Sequence, residues 1–73
     1  MTVVDARGLR CPAPVIRLAR AAKDVPPGSM LTVLATDPAA VHDVPAWARM
    51  RGHVMVEVTE EDGVHSLTVR TGA

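Results

Sequence analysis

One aromatic side chain, Trp47, has to serve the whole chain. With 73 residues the protein lies near the size at which a core barely offsets conformational entropy without disulfides, a metal or a partner. Its interior must therefore be assembled from Val, Leu, Ile, Met and Ala. Side chains of that size fill thin layers better than a bulky centre, and at 48% apolar the chain has enough of them.

The order of those layers can be read from periodicity. Thr2, Val3 and Val4 are short and rich in β-branched residues, and Asp5 and Gly8 follow as a stop and a turn, which predicts a first strand over 2–4. From Pro12 onward Val15, Leu18, Ala19 and Ala22 recur at helical spacing, with Arg17, Arg20 and Asp24 on the other side. Pro26, Pro27 and Gly28 end that helix. Residues 30–36 read as a strand with Leu31, Val33 and Ala35 on one face. Asp37 and Pro38 form a helix-start pair, with Asp37 as N-cap and Pro38 at N1, and the helix should run to Arg51 and stop at Gly52. Pro45 then requires either a separate first turn with Asp43 as a new cap, or a kink. Alternation over 54–61 and 64–70, joined by Asp62 and Gly63, is a hairpin signal. The expected fold is an α/β (α+β) two-layer sandwich of order βαβαββ, with two helices on one face of a four-stranded mixed sheet. Nothing resembling a linker or repeat interrupts 1–73, so one domain is expected.

Charge narrows the function. Eight basic and eight acidic residues cancel, which removes the general attraction that nucleic-acid and membrane-surface binders depend on. The lone cysteine, Cys11, cannot form an internal disulfide, which favours a reducing, cytoplasmic setting. The first ten residues lack a signal-peptide core, and no stretch is long and apolar enough to span a membrane.

Cys11 lies in the stretch GLRCPAP. With Pro12 at N1, Cys11 would be the N-cap of the first helix, its sulfur at an end carrying roughly +0.5 charge, an environment that lowers a thiol pKa. Pro12 and Pro14 supply no N–H, so the Ala13 N–H is the expected partner of the sulfur. A phosphate site would want more donors than this turn retains. Two readings stand: a small buried hydrophobe, or an activated nucleophile presented on a rigid turn. A metal site using Cys11 with His42, His53 and His65 lacks ligand spacing, and a protease-like pairing with His53 or His42 lacks room to enclose a substrate. Neither metal nor cofactor is expected.

The order D-A-R-G-L-R-C-P-A-P, then T-D-P-A, then D-V-P-A-W and G-H, resembles the TusA/SirA family of small sulfur-carrier proteins nearly end to end. The resemblance implies a βαβαββ fold, in agreement with the periodicity. It implies that Cys11 accepts a sulfane sulfur as a persulfide from a protein donor, a cysteine desulfurase or a rhodanese-like protein, and passes it to a protein acceptor. Relays of this kind feed tRNA thiolation, molybdenum-cofactor maturation or sulfur oxidation. It thus implies a sulfurtransferase-type carrier, not a turnover enzyme acting on a small molecule. Some relatives have a second cysteine where this chain has Ala48. With one thiol, release must be completed by the acceptor's own thiol.

Gly8, Arg10, Pro12, Ala13 and Pro14 are expected to present the thiol, with Asp5 shaping the same turn. Ile16, Arg17, Asp37 and Met50 are candidates for partner docking, while Arg20 reads as a solvated position. Trp47 reads as half-buried packing, and Met30, Met50 and Met55 as gap fillers. A monomer is expected, with no membrane and no direct nucleic-acid partner. The rivals are a non-catalytic interaction or regulatory module in which Cys11 only packs, and an RNA-binding domain, which zero net charge and a single aromatic disfavour.

Overall fold

The protein is described by a computed structural model over residues 2–72. Positions 1 and 73 of the expected domain lie outside the described residues. Six elements follow in the expected order: β1 (Thr2–Ala6), α1 (Ala13–Lys23), β2 (Met30–Ala35), α2 (Ala40–Arg51), β3 (Val54–Glu61) and β4 (Val64–Arg70). The sheet order is β1-β2-β4-β3, with β1 parallel to β2 and the β4 pairings antiparallel.

Two consequences of this topology position everything else. Helix α1 crosses between the neighbouring strands β1 and β2, and α2 crosses from β2 to β3, which run the same way because each is antiparallel to β4. Both helices therefore begin at the sheet edge where β1 and β2 end. The same crossovers place both on one face, over Leu31, Val33 and Ala35 of β2 and Leu67 and Val69 of β4. All five are fully buried, with Leu18 of α1 and Val44 of α2. The aliphatic core runs along this layer, and Trp47 packs against its margin half-buried, its ring centroid 4.8 Å from that of His53.

Several boundaries differ from the sequence reading. Strand β1 continues through Asp5 and Ala6 because β2 offers partners for both, Leu34 and Ala35. Helix α1 starts at Ala13, with Pro12 in the capping position. Before α2, residues 37–39 form a tight turn with bonds from Ala40 N–H to the Asp37 carbonyl (3.0 Å) and from Val41 N–H to the Pro38 carbonyl (3.1 Å). The helix proper thus begins at Ala40 and not at Pro38. The separate first turn with Asp43 as a new cap, one of the two alternatives raised by Pro45, does not form: Asp43 sits inside the helix, its N–H donated to the Ala39 carbonyl at 2.9 Å, and α2 continues through Pro45. Gly52, at φ +78°, closes α2, and the His53 N–H reaches back to the Ala48 carbonyl at 2.8 Å, a Schellman-type end. Strand β3 carries an irregularity between Met55 and Glu57, which the alternating pattern did not disclose.

The far face of the sheet is uncovered. There the hydroxyls of Thr32 and Thr68 meet at 2.7 Å across β2 and β4. The end of the chain is tied in by Thr71, whose hydroxyl donates to the Pro26 carbonyl and accepts from Ser29 N–H, each at 3.0 Å, and by the Gly72 N–H donating to His53 Nδ1 at 3.0 Å. Among the described residues, no helix is long and apolar enough to cross a membrane.

Leu18 is the largest fully buried side chain of α1. Leu18→Ala is expected to cost about 3 kcal/mol in urea unfolding, whereas Val56→Ala, at a half-exposed position on the edge strand, should cost well under 1 kcal/mol.

Candidate functional site

The loop between β1 and α1 brings Cys11 to the edge where both helices start. Gly8, at φ +79°, makes the turn that a residue with a Cβ would adopt only under strain, and its N–H donates to Thr36 Oγ1 at 2.9 Å. The chain then tightens again, with Ala13 N–H donating to the Arg10 carbonyl at 2.9 Å. Ile16 N–H donates to the Pro12 carbonyl at 3.0 Å, the first full helical bond. The Cys11–Pro12 peptide is cis.

Asp37 holds this loop to α2. Its Oδ2 accepts the Cys11 N–H at 2.9 Å and its Oδ1 accepts the Ala39 N–H at 3.0 Å. One carboxylate thus anchors the thiol-bearing residue and caps the turn that leads into α2. These two N–H bonds, with the charge of Arg10 as a smaller contribution, hold the Asp37 carboxyl below the usual carboxylate range.

The thiol is partly buried and packs against the core. Burial, then a hydrogen bond and charge from Asp43, then the charge of Asp37, push it up to about 11. This reverses the expectation of a thiol activated by a helix end. Cys11 sits one residue ahead of the capping position, and the Ala13 N–H meant for the sulfur is taken by Arg10. The charges that act on it are instead those of two carboxylates, Asp43 and Asp37. Asp43, considered only as a helix cap from the sequence, is the neighbour that reading missed. The signal was available: an acidic residue at the start of a second crossover helix must lie at the same sheet edge as the start of the first.

The remaining candidates are distributed unevenly. Gly8, Arg10 and Pro12 are exposed around the thiol, Ala13 is half-buried, and Pro14 is buried in the first turn of α1. Ile16, 46% exposed, stands one turn beyond. The Arg17 guanidinium leans away toward β1, reaching the Asp5 carbonyl at 3.5 Å, while Asp5 itself pairs with Arg7 at 2.9 Å, which holds its carboxyl down to about 2. Met50 is 80% exposed but near the C-terminal end of α2, about 10 Å along the axis from Asp43. It does not join the thiol. Between the helices an open groove of about 460 Å³ runs past Val15, Ile16, Trp47 and His53, with Lys23 and Arg51 on its rim. His53 is therefore engaged by Gly72 and Trp47 at the other end of the layer, and is no base for Cys11. Among the described residues no cluster of three or more His, Cys, Asp or Glu is placed to hold a metal ion.

Both ionisable anchors have pH signatures. Asp37 is lowered in the fold, so its contribution is present above the unfolded value near 3.8 and lost as pH falls through the lower folded value; an NMR titration should find its midpoint below 3.8, with the Cys11 and Ala39 amide signals moving in step. Cys11 is raised, so its contribution is full below the ordinary thiol value near 9 and is lost as pH climbs from there to about 11. Thermal melts should accordingly drop across that alkaline window in the wild type and drop less in Cys11→Ser.

The chain matches the family model described as "Sulfurtransferase TusA" over residues 2–71. It is 41% identical over 71 residues to the sulfur carrier protein TusA of Pseudomonas aeruginosa strain PAO1, covering 97% of this chain and 90% of that one. The same identity and coverage hold for the TusA of Pseudomonas paraeruginosa. Among solved structures, the SirA-like protein of Desulfitobacterium hafniense is similar with a TM-score of 0.88 at 32% identity, each chain covered in full. With the fold, the loop that presents a single cysteine and a match of this extent in agreement, the chain belongs to the TusA family of sulfurtransferases.

Proposed function

We propose that this chain, as one domain over 1–73, is a sulfur carrier whose Cys11 takes up a sulfane sulfur as a persulfide and gives it to a protein acceptor. The observation that carries this reading is the position of the chain's only thiol: it is fixed by its own backbone N–H to Asp37, at an open edge of the fold where a partner can approach. Family membership supplies the chemistry, since the relatives it matches are named sulfur carriers.

The loading step transfers one sulfur atom without net redox change. The Cys11 sulfur attacks the outer sulfur of a donor persulfide, a new S–S bond forms, and the donor's S–S bond breaks. The electron pair leaves on the donor's inner sulfur, which takes up a proton. The donor is a persulfide-bearing protein of the cysteine desulfurase or rhodanese-like class, and the acceptor a protein with a free thiol, because the chain has no second cysteine to release the sulfur internally. The lone thiol fits a cytoplasmic, reducing compartment and a monomeric carrier.

Gly8, Arg10, Pro12, Ala13 and Pro14 shape the presenting loop, and Arg10, Ile16 and Asp37 form the near part of the docking surface. Arg17 and Met50 would engage only a partner broad enough to extend past that edge.

Incubation with a cysteine desulfurase and free cysteine, followed by intact-mass measurement, tests the proposal. The expected result is a gain of one sulfur that disappears with reductant and is absent in Cys11→Ser. A folded protein that gains nothing while the desulfurase turns over would leave Cys11 as a packing residue of an interaction module.

A further inference from the structure

The last described residues are fastened at two points of different chemistry. Thr71 is held by backbone and hydroxyl groups, which do not titrate near neutrality. Its N–H donates to the Ser29 carbonyl at 2.8 Å, its carbonyl accepts from Gly28 N–H at 2.7 Å, and its hydroxyl donates to the Pro26 carbonyl at 3.0 Å. Gly72 is held by a group that does titrate, His53, whose Nδ1 accepts the Gly72 N–H at 3.0 Å. We propose that His53 is a proton-operated latch: its neutral ring holds Gly72 against the turn between α2 and β3, and a proton on Nδ1 releases Gly72 while Thr71 stays in place. The inference stands apart from the reading of Cys11 as a carrier thiol.

The bond fixes the state of the ring. A ring nitrogen that accepts a hydrogen bond carries no proton, so the latched form is the neutral imidazole with its proton on Nε2. The imidazolium has an N–H at both positions, and an N–H on Nδ1 would point at the Gly72 N–H and push it away. What the bond maintains is a close approach of two stretches of backbone. A side chain at residue 72 would run into the Gly52 carbonyl, so glycine is what lets the arm lie there.

The charged ring has a second seat. Its centroid lies 4.8 Å from that of Trp47 with the planes inclined by 39°, within the distance at which a cation is attracted to an indole. Protonation therefore exchanges a bond to Gly72 for a stronger contact with Trp47.

The charges around the ring are cations. Lys23 at the end of α1 and Arg51 at the end of α2 line the same groove as Trp47 and His53. Neither has an ion-pair partner among the described residues, where the one such pair joins Arg7 to Asp5. Asp24, which follows α1, and Glu57, on β3, do not line the groove, and Arg70 of β4 is paired with Val54, the residue after His53. The latch thus couples this arm to the groove: protonation frees Gly72 and adds a third cation to a wall that already carries two.

An NMR titration of the isotope-labelled protein from about pH 8 to about pH 5 follows ring and backbone together. The Gly72 amide proton should move upfield, as an amide does on losing its acceptor, with the midpoint of the His53 ring. Trp47 emission should fall with the same midpoint, since an imidazolium quenches an adjacent indole. The Thr71 and Ser29 amides should hold their positions. His53→Asn keeps an acceptor oxygen and cannot take up a proton, so it should leave the Gly72 amide and the Trp47 emission flat over the range. His42→Asn and His65→Asn should respond as the wild type does. Should His53→Asn not fold, the wild-type ring still decides, because its neutral form must be the Nε2–H tautomer. An Nδ1–H tautomer, a ring that does not titrate before the protein unfolds, a Gly72 amide that moves independently of the ring, or a response shared by Thr71 and Ser29 would overturn the latch.

Discussion

Two N–H bonds to one carboxylate hold the working end of this protein together. Asp37 accepts from Cys11 on one oxygen and from Ala39 on the other, so the loop before α1 and the turn before α2 share an anchor. With a single cysteine the chain cannot pin a loop at this edge by an internal disulfide, and a partly buried carboxylate satisfied on both oxygens takes that role. The anchor also bears on the chemistry, because it sets the Asp37 carboxylate beside the residue that carries the thiol.

The rest of the fold serves to bring those residues to one edge. A core of Leu, Val and Ala between one sheet face and two helices leaves little depth to spare, and both helices must run as crossovers between parallel strands to cover that face. Crossovers in one direction start at one edge. A reactive side chain at the start of α1 therefore meets whatever stands at the start of α2, and here that is a pair of aspartates. The groove between the helices runs from Val15 and Ile16 in the first turn of α1 to Lys23 and Arg51, and His53 and Gly72 are joined at its far end.

The elements were legible because each is locally consistent: alternation in β2, β3 and β4, helical spacing around Leu18, a Gly52 stop and an Asp62-Gly63 turn; the Asp37-Pro38 pair marked the turn ahead of α2 and not the first residue of the helix. The site was only half legible. Spacing identified Cys11 as unusual and Asp37 as a cap, but the sulfur's surroundings depend on a loop conformation that local rules misplace by one residue. That shift moves Cys11 ahead of the capping position, gives the Ala13 N–H to the Arg10 carbonyl, and exchanges a positive helix end for negative side chains. Met50 shows the same limit in another form. The gap-filling role read for it is overturned by its 80% exposure, and its distance from the thiol follows from the direction of α2.

A carrier with a single thiol has a simple obligation: what it accepts it must keep until another protein's thiol takes it. A chain loaded with one labelled sulfur and cleared of donor should retain the label on the peptide containing Cys11, and should lose it, atom for atom, to an acceptor protein with a free thiol but not to the same acceptor with that thiol replaced by serine. Label found outside that peptide, or passed equally well to the serine acceptor, would contradict the account.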